Sequence, residues 1–312
     1  MVRITERDNP ASAALDTKST REVLRIINRE DHKVAPAIRR AMRQIVRAVD
    51  LIVEALKSGG RLVYLGAGTS GRLGVLDAAE CIPTFSTDRV VAVMAGAPAA
   101  MFRPIEGAED DPRRAVRDLR RIKLKPRDVL VGISASGRTP YALAGLRYAR
   151  KIGARTVAVT ASPRSEMRSL AGVTISTVVG PEVIAGSTRM KAGTAHKLVL
   201  NMLSTASMVR LGRVLSGWMV NVRMNSEKLR KRGEAMLVLG AGVDSSVAAR
   251  TLEASGWNLP VAFMMLWKHV SRREAAKLLG AGRSPANVLR RAQAEWAQPA
   301  KGATSRTTET IP

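Results

Sequence analysis

Two apolar rhythms alternate along the chain. Short apolar runs at Leu62-Val63-Tyr64-Leu65, Arg89 to Met94, Val129-Leu130-Val131-Gly132-Ile133, Thr156 to Thr160 and Val173 to Val179 have the length and β-branched content of buried strands. Between them, apolar residues recur at three- and four-residue spacing. Ile38, Met42, Ile45, Val49, Ile52 and Leu56 make one such stripe, stopped by Gly59-Gly60. Ser19-Thr20-Arg21-Glu22 is a capping box ahead of Val23, Leu24 and Ile27. Asp111-Pro112 is an N-cap followed by a first helical residue, and that helix ends before Lys125-Pro126. Further helices pass through Leu146 and Ala149, and from Leu198 to Val209. Strand and helix in alternation predict an α/β fold with a parallel sheet sandwiched by helices.

The rhythm changes after Val214. Two segments echo each other there, Asp244 ahead of Ala248 to Leu252 and Ser271 ahead of Ala275 to Leu279, each with a capping residue before a helix. The chain therefore divides into a polar N-terminal arm (1–18), an α/β domain with N-terminal helices (19–221), a small C-terminal helical subdomain (222–297) and a Ser/Thr-rich tail (298–312) expected to be disordered.

Three small-residue turns interrupt the pattern. Gly66-Ala67-Gly68-Thr69-Ser70-Gly71-Arg72 follows the first strand, and Ser134-Ala135-Ser136-Gly137-Arg138-Thr139 follows the third. Ala185-Gly186-Ser187-Thr188-Arg189-Met190-Lys191 precedes the long apolar helix. Backbone N–H groups at a helix start are unpaired and favour an anion, and the hydroxyls add donors. Ligands of parallel sheets bind beyond the carboxyl ends of the strands, where these turns fall. Three turns on one edge predict a pocket for a hydroxyl-rich phosphorylated ligand. The candidate binding residues are Gly68, Thr69, Ser70, Gly71, Arg72, Ser134, Ser136, Arg138, Thr139, Ser187, Thr188 and Lys191. Gly66-x-Gly68-x-x-Gly71 also fits a dinucleotide fingerprint, but that reading wants a carboxylate at the end of the second strand. Asp88 precedes that strand, which ends in Ala95-Gly96.

Composition adds limits. The net charge of +25 comes from basic residues spread along the chain, and only 3% of residues are aromatic, so base stacking has little to work with. No specific nucleic-acid partner is implied. The single cysteine, Cys81, excludes an internal disulfide and has no basic activator near it in sequence, which makes it a packing residue. His32, His196 and His269 are scattered, so no metal site is expected; His196, after the third turn, lacks a carboxylate neighbour that would make it a base. No apolar run approaches the roughly 20 residues of a membrane span, and no secretory signal is visible, which points to the cytoplasm and away from a membrane.

The stretches YLGAGTSGRLGVLDAAECIPTF, EGAED, ISASGRTPYALAGL and AGSTRMKAGTAHKLVLNML together resemble the N-acetylmuramic acid 6-phosphate etherase family, of the sugar isomerase (SIS) fold. The resemblance implies a homodimeric, cofactor-independent lyase that cleaves the D-lactyl ether of its sugar phosphate to N-acetylglucosamine 6-phosphate and D-lactate. It places catalytic roles on Glu80 in AAEC, the proton donor toward the leaving lactate, and Glu109 in EGAED, most simply the base. The apolar flanks Ala78, Ala79 and Ile82 suggest that burial raises the Glu80 carboxyl. Glu109 stands among Glu106, Asp110 and Asp111, and only the resemblance singles it out. A phosphosugar sensor without catalysis and a phosphosugar isomerase are the alternatives on the same fold.

Overall fold

A computed structural model describes residues 4–222, 224–281 and 285–297; the 298–312 tail lies outside the described residues. The chain forms two compact units.

The first unit holds a five-stranded parallel sheet. Its strands are β1 (Leu62–Gly66), β2 (Val90–Met94), β3 (Val129–Ile133), β4 (Arg155–Thr160) and β5 (Val173–Ser176), in spatial order β2-β1-β3-β4-β5. Register is direct, with Gly66 opposite both Met94 and Ile133, so the carboxyl ends of the three strands at that side of the sheet finish level. Residues of β1 and β3 are all buried, which is why they read as unbroken apolar runs instead of alternating ones. On one face Val63, Leu65 and Leu130 pack against Ala115 and Leu119 of helix α5 (Pro112–Arg121) and Tyr141, Ala142 and Leu146 of helix α6 (Pro140–Lys151).

On the N-terminal side α1 (Thr20–Asp31) starts with the expected Ser19–Glu22 capping box. The following stripe is not one helix but two, α2 (Val34–Arg40) and α3 (Met42–Lys57), parted at Ala41. The apolar spacing runs through the break undisturbed, so the pattern alone could not show it. Helix α4 (Gly68–Phe85) follows β1. Helix α7 (Lys191–Arg210) buries one side, including Ala195, His196, Val199, Leu200 and Leu203. The described part of the polar N-terminal arm, residues 4–18, is folded and tied down. Three short 3-10 turns fold it, and Thr5 and Asn9 are buried.

The second unit takes the chain from Leu211 together with Pro83–Ser86, so its start lies earlier than the expected 222. It contains α8 (Glu227–Ala241), α9 (Ser245–Ala254), α10 (Leu259–Lys268), α11 (Arg272–Ala281) and α12 (Pro285–Ala297). Its core is built on α10, where Phe263 stacks on Trp267 at 4.5 Å and Trp267 Nε1 donates to the Gly240 carbonyl. Of the two echoing caps, Ser271 forms a full capping box with Glu274, whereas Asp244 makes no side-chain cap bond.

One tight approach is testable. A Cβ added to Gly60 would lie 2.0 Å from the Arg127 carbonyl oxygen, a backbone atom that cannot swing aside. Gly60→Ala is expected to lower stability by about 1–3 kcal/mol, read as a shift in urea midpoint. An unchanged midpoint contradicts so close an approach of these two loops.

Candidate active site

The strand order reverses between β1 and β3, and the crevice beyond their carboxyl ends is where such sheets place a ligand. The first turn leaves β1 and the second leaves β3, so both flank that crevice.

In the first turn Gly68 has φ +52°, and a Cβ at Gly71 would meet Gly66 O at 2.7 Å and Met94 Cγ at 2.6 Å. Only glycine lets α4 begin so close to the end of β1. Thr69 and Ser70 are half-buried, and their hydroxyls make no hydrogen bond among the described residues, which leaves them free for a ligand. Arg72 is committed differently: its Nε donates to Met101 O at 3.1 Å, tying α4 to the loop after β2.

The second turn is braced internally. The Ser134 hydroxyl lies 2.8 Å from that of Thr139 and 3.3 Å from that of Ser136, and it accepts from the Gly137 N–H at 3.1 Å. Gly137, at φ +69°, has no room for a side chain, since an added Cβ would lie 2.0 Å from Ser165 Oγ. Arg138 pairs with Glu166 at 3.2 Å on an exposed surface.

The third turn reaches the first. A Cβ at Gly193 would lie 3.4 Å from Thr69 Cγ2, and Gly193 N–H donates to Thr188 O at 2.9 Å. The Ser187 and Thr188 hydroxyls are half-buried and make no hydrogen bond among the described residues. The amino end of α7, however, is already filled. Glu182 accepts from the N–H groups of Lys191 and Ala192 at 3.0 and 2.9 Å, so an internal carboxylate occupies that anion position. Lys191 does not line the pocket as expected. Its side chain is buried, and its ammonium binds Glu30 and the Pro181 carbonyl.

The two glutamates are placed apart. Glu109 lies in a short 3-10 turn, Ala108–Asp110, in the loop that leaves the carboxyl end of β2, and Ala108 packs close to Gly96. It shares the sheet edge with the turns. Glu80 is twelve residues along α4 from Gly68, about 18 Å by helical rise, and so lies far from its own chain's first turn. Its side chain is exposed, and Ala79 and Ile82 beside it are not buried, so the apolar burial anticipated around the carboxyl is not supplied within this chain. The helix continues beyond Glu80 to Phe85.

The family-model comparison matches residues 44–150 to the glucokinase regulatory protein N-terminal SIS domain and residues 117–206 to the SIS domain. Among curated proteins, the N-acetylmuramic acid 6-phosphate etherase of Edwardsiella ictaluri is 52% identical over 279 residues, 88% of this chain and 93% of that one. The protein of the same name from Rhodopirellula baltica is 48% identical over 277 residues, 88% and 92% of the two chains. That from Yersinia pestis is 49% identical over 274 residues, 87% and 93%. The chain belongs to the N-acetylmuramic acid 6-phosphate etherase family.

In this etherase-family chain the buried carboxyl on α4 is Asp77, one turn before Glu80. Its oxygens accept from Tyr64 Oη at 2.9 Å and Ser204 Oγ at 3.2 Å, and burial raises its pKa while the Tyr64 bond opposes the rise. Asp77 thus bolts α4 to β1 and α7. Cys81, one turn on, is buried, and burial with the Asp77 charge pushes its thiol up to about 12, as suits a packing residue and not a nucleophile. The signal for Asp77 was present, because a Tyr inside a buried strand needs a partner for its hydroxyl. Glu30, Asn9 and Glu182 carried no such signal, since their partners are remote in sequence. Among the described residues, no group of three or more His, Cys, Asp or Glu is placed to hold a metal ion, and no single helix is long and apolar enough to cross a membrane.

Proposed function

We propose that the chain cleaves the D-lactyl ether of N-acetylmuramic acid 6-phosphate, giving N-acetylglucosamine 6-phosphate and D-lactate. The observation that carries this reading is near-50% identity to curated etherases across nearly nine-tenths of the chain. The uncommitted Thr69 and Ser70 hydroxyls after β1, and those of Ser187 and Thr188 on the turn whose Gly193 approaches Thr69, suit a phosphorylated sugar.

In the open-chain sugar the aldehyde acidifies the proton on carbon 2. Glu109 removes that proton, and the electron pair expels the lactate oxygen from carbon 3, where Glu80 supplies a proton. Water then adds to carbon 3 of the unsaturated aldehyde, so the net change is one water consumed and one ether bond replaced by two hydroxyls. The step asks nothing of a redox or metal group.

A single chain leaves Glu80 about 18 Å along α4 from Gly68. The reading therefore includes a homodimer in which the partner's Glu80 completes each site. Leu76 and Ile82 on α4 and Leu198 on α7 are exposed apolar residues of the kind such a contact covers. The reading also includes a cytoplasmic enzyme, because a charged sugar phosphate does not cross membranes unaided and is consumed on the side where it is made.

A binding-only reading draws on the match to a regulatory protein's SIS domain. Incubation of the purified chain with N-acetylmuramic acid 6-phosphate separates the two. D-lactate and N-acetylglucosamine 6-phosphate are expected in equal amounts; an intact, folded chain that binds the sugar phosphate but releases no lactate is a sensor.

A further inference from the structure

The third turn is held from behind by a buried polar cluster drawn from three distant parts of the chain. Glu30 on α1 is 1% exposed. Its Oε2 accepts from Lys191 Nζ at 2.5 Å and from Asn9 Nδ2 at 2.9 Å, while its Oε1 accepts from Lys33 Nζ at 2.5 Å. Lys191 Nζ and Asn9 Nδ2 also share the Pro181 carbonyl, at 2.6 and 3.1 Å. The N-terminal arm adds a main-chain clamp, with Gly186 N–H donating to Thr5 O at 3.0 Å. Glu182 then holds the amino end of α7 through Lys191 and Ala192. The loop from Pro181 to Ala192 is thereby pinned at both ends. Its middle carries Ser187 and Thr188, and Gly193 just beyond them faces Thr69.

A buried ion pair is a poor source of stability, because desolvation consumes most of its attraction. What it does supply is geometry. Burial disfavours the Glu30 charge, yet the hydrogen bonds from Lys191, Lys33 and Asn9 outweigh this and hold the carboxyl down at about 2, so Glu30 stays a carboxylate at any working pH. An apolar contact at the same place would let the loop slide; three directed donors on one carboxylate do not.

We propose that Glu30, Lys191 and Asn9 are positioning residues that set the Gly186–Thr188 turn against Thr69 for substrate binding, and that the N-terminal arm is part of the active-site support. The proposal rests on the functional reading above, since it takes that turn to contact the phosphosugar.

The test uses the full chain with Asn9→Ala and with the double change Glu30→Leu plus Lys191→Met, which removes the pair without leaving an unpaired buried charge. Three quantities are measured: KM and kcat for lactate release, affinity for N-acetylglucosamine 6-phosphate, and amide exchange across residues 184–194. In the double variant KM is expected to rise at least tenfold with kcat altered less than threefold. Product affinity should fall in parallel, and exchange of the Gly186, Lys191 and Ala192 amides should quicken while β3 and β4 stay protected. Asn9→Ala should show the same pattern, weaker. Unchanged KM and product affinity overturn the proposal, even where exchange quickens, and so does exchange that rises equally in β3, which is loosening of the whole domain. A wild-type chain that releases no lactate sinks the etherase reading instead; the local exchange pattern then still decides whether the cluster holds the turn.

Discussion

Glu80→Gln is expected to cut lactate release by about 10²–10⁴-fold in kcat, the span usual for loss of a positioned acid or base, with KM and product affinity little changed. Glutamine keeps the size and one acceptor but has no proton to give. Glu109→Gln should do comparable damage, with one difference. Exchange of the carbon 2 proton with deuterated solvent must vanish when the base is lost, whereas it can persist in Glu80→Gln because deprotonation precedes departure of the lactate. The geometry adds a sharper expectation. With Glu80 about 18 Å along α4 from Gly68, the proposed site combines the turns of one copy with the Glu80 of another. Glu80→Gln mixed with a Thr69→Ala, Ser70→Ala chain should therefore regain activity, because each mixed dimer has one site with both parts intact. Random re-pairing gives about one quarter of wild-type activity per chain. Two inactive variants that remain inactive after verified exchange of subunits would sink the shared-site assignment. Full turnover by Glu80→Gln alone removes Glu80 from the chemistry altogether.

The sheet was legible because its physics is local. Strands buried on both faces must be apolar throughout, so β1 and β3 announce themselves, and β3 falls on Val129–Ile133 as the run indicates. Capping chemistry is local as well, which is why Ser19–Glu22 and Asp111 mark their helices correctly. The glycines of the first turn could be read for the same reason, since Gly71 stands where strand and helix backbones touch. What escaped was everything decided by remote partners. Thr5 and Asn9 look like surface residues of a polar arm, and only contacts with Gly186, Glu30 and Pro181 bury them. Lys191 follows a Ser/Thr turn and reads as a phosphate ligand, but a carboxylate 161 positions earlier captures it. Glu80 has apolar neighbours in sequence, yet the period of α4 leaves its carboxyl and Ile82 exposed on the single chain. In the proposed dimer, burial of that carboxyl would come from the second copy, which no single-chain pattern encodes.

The buried histidine of α7 predicts an acid sensitivity of the first unit. His196 is fully buried, both ring nitrogens lack hydrogen-bond partners among the described residues, and burial pushes its pKa down from 6.5 to about 4. It is therefore neutral at pH 7 in the folded chain. Between pH 6.5 and 4 the unfolded chain takes up a proton that the folded chain refuses, so stability falls with pH across that window and levels off below it. The shift corresponds to a loss of about 3 kcal/mol. His196→Leu removes the titration together with two unsatisfied buried polar atoms. It is expected to be at least as stable as wild type at pH 7.5, by about 1 kcal/mol or more, and to show a flatter decline toward pH 4.5. Other groups titrate nearby, and their signs differ. Glu30, held at about 2, costs stability only as pH falls below its unfolded value of 4.5, and the raised Asp77 and Glu182 carboxyls act in the opposite sense. The difference between wild type and His196→Leu cancels them all. The probe must report on the right unit: Trp218, Trp257, Trp267 and Trp296 all lie beyond Leu211, whereas Tyr64, Tyr141 and Tyr148 lie in the unit that contains His196. Urea unfolding followed by tyrosine signal at pH 7.5, 6, 5 and 4.5 reads the effect, and parallel stability curves for the two chains would show that His196 is not the group that titrates.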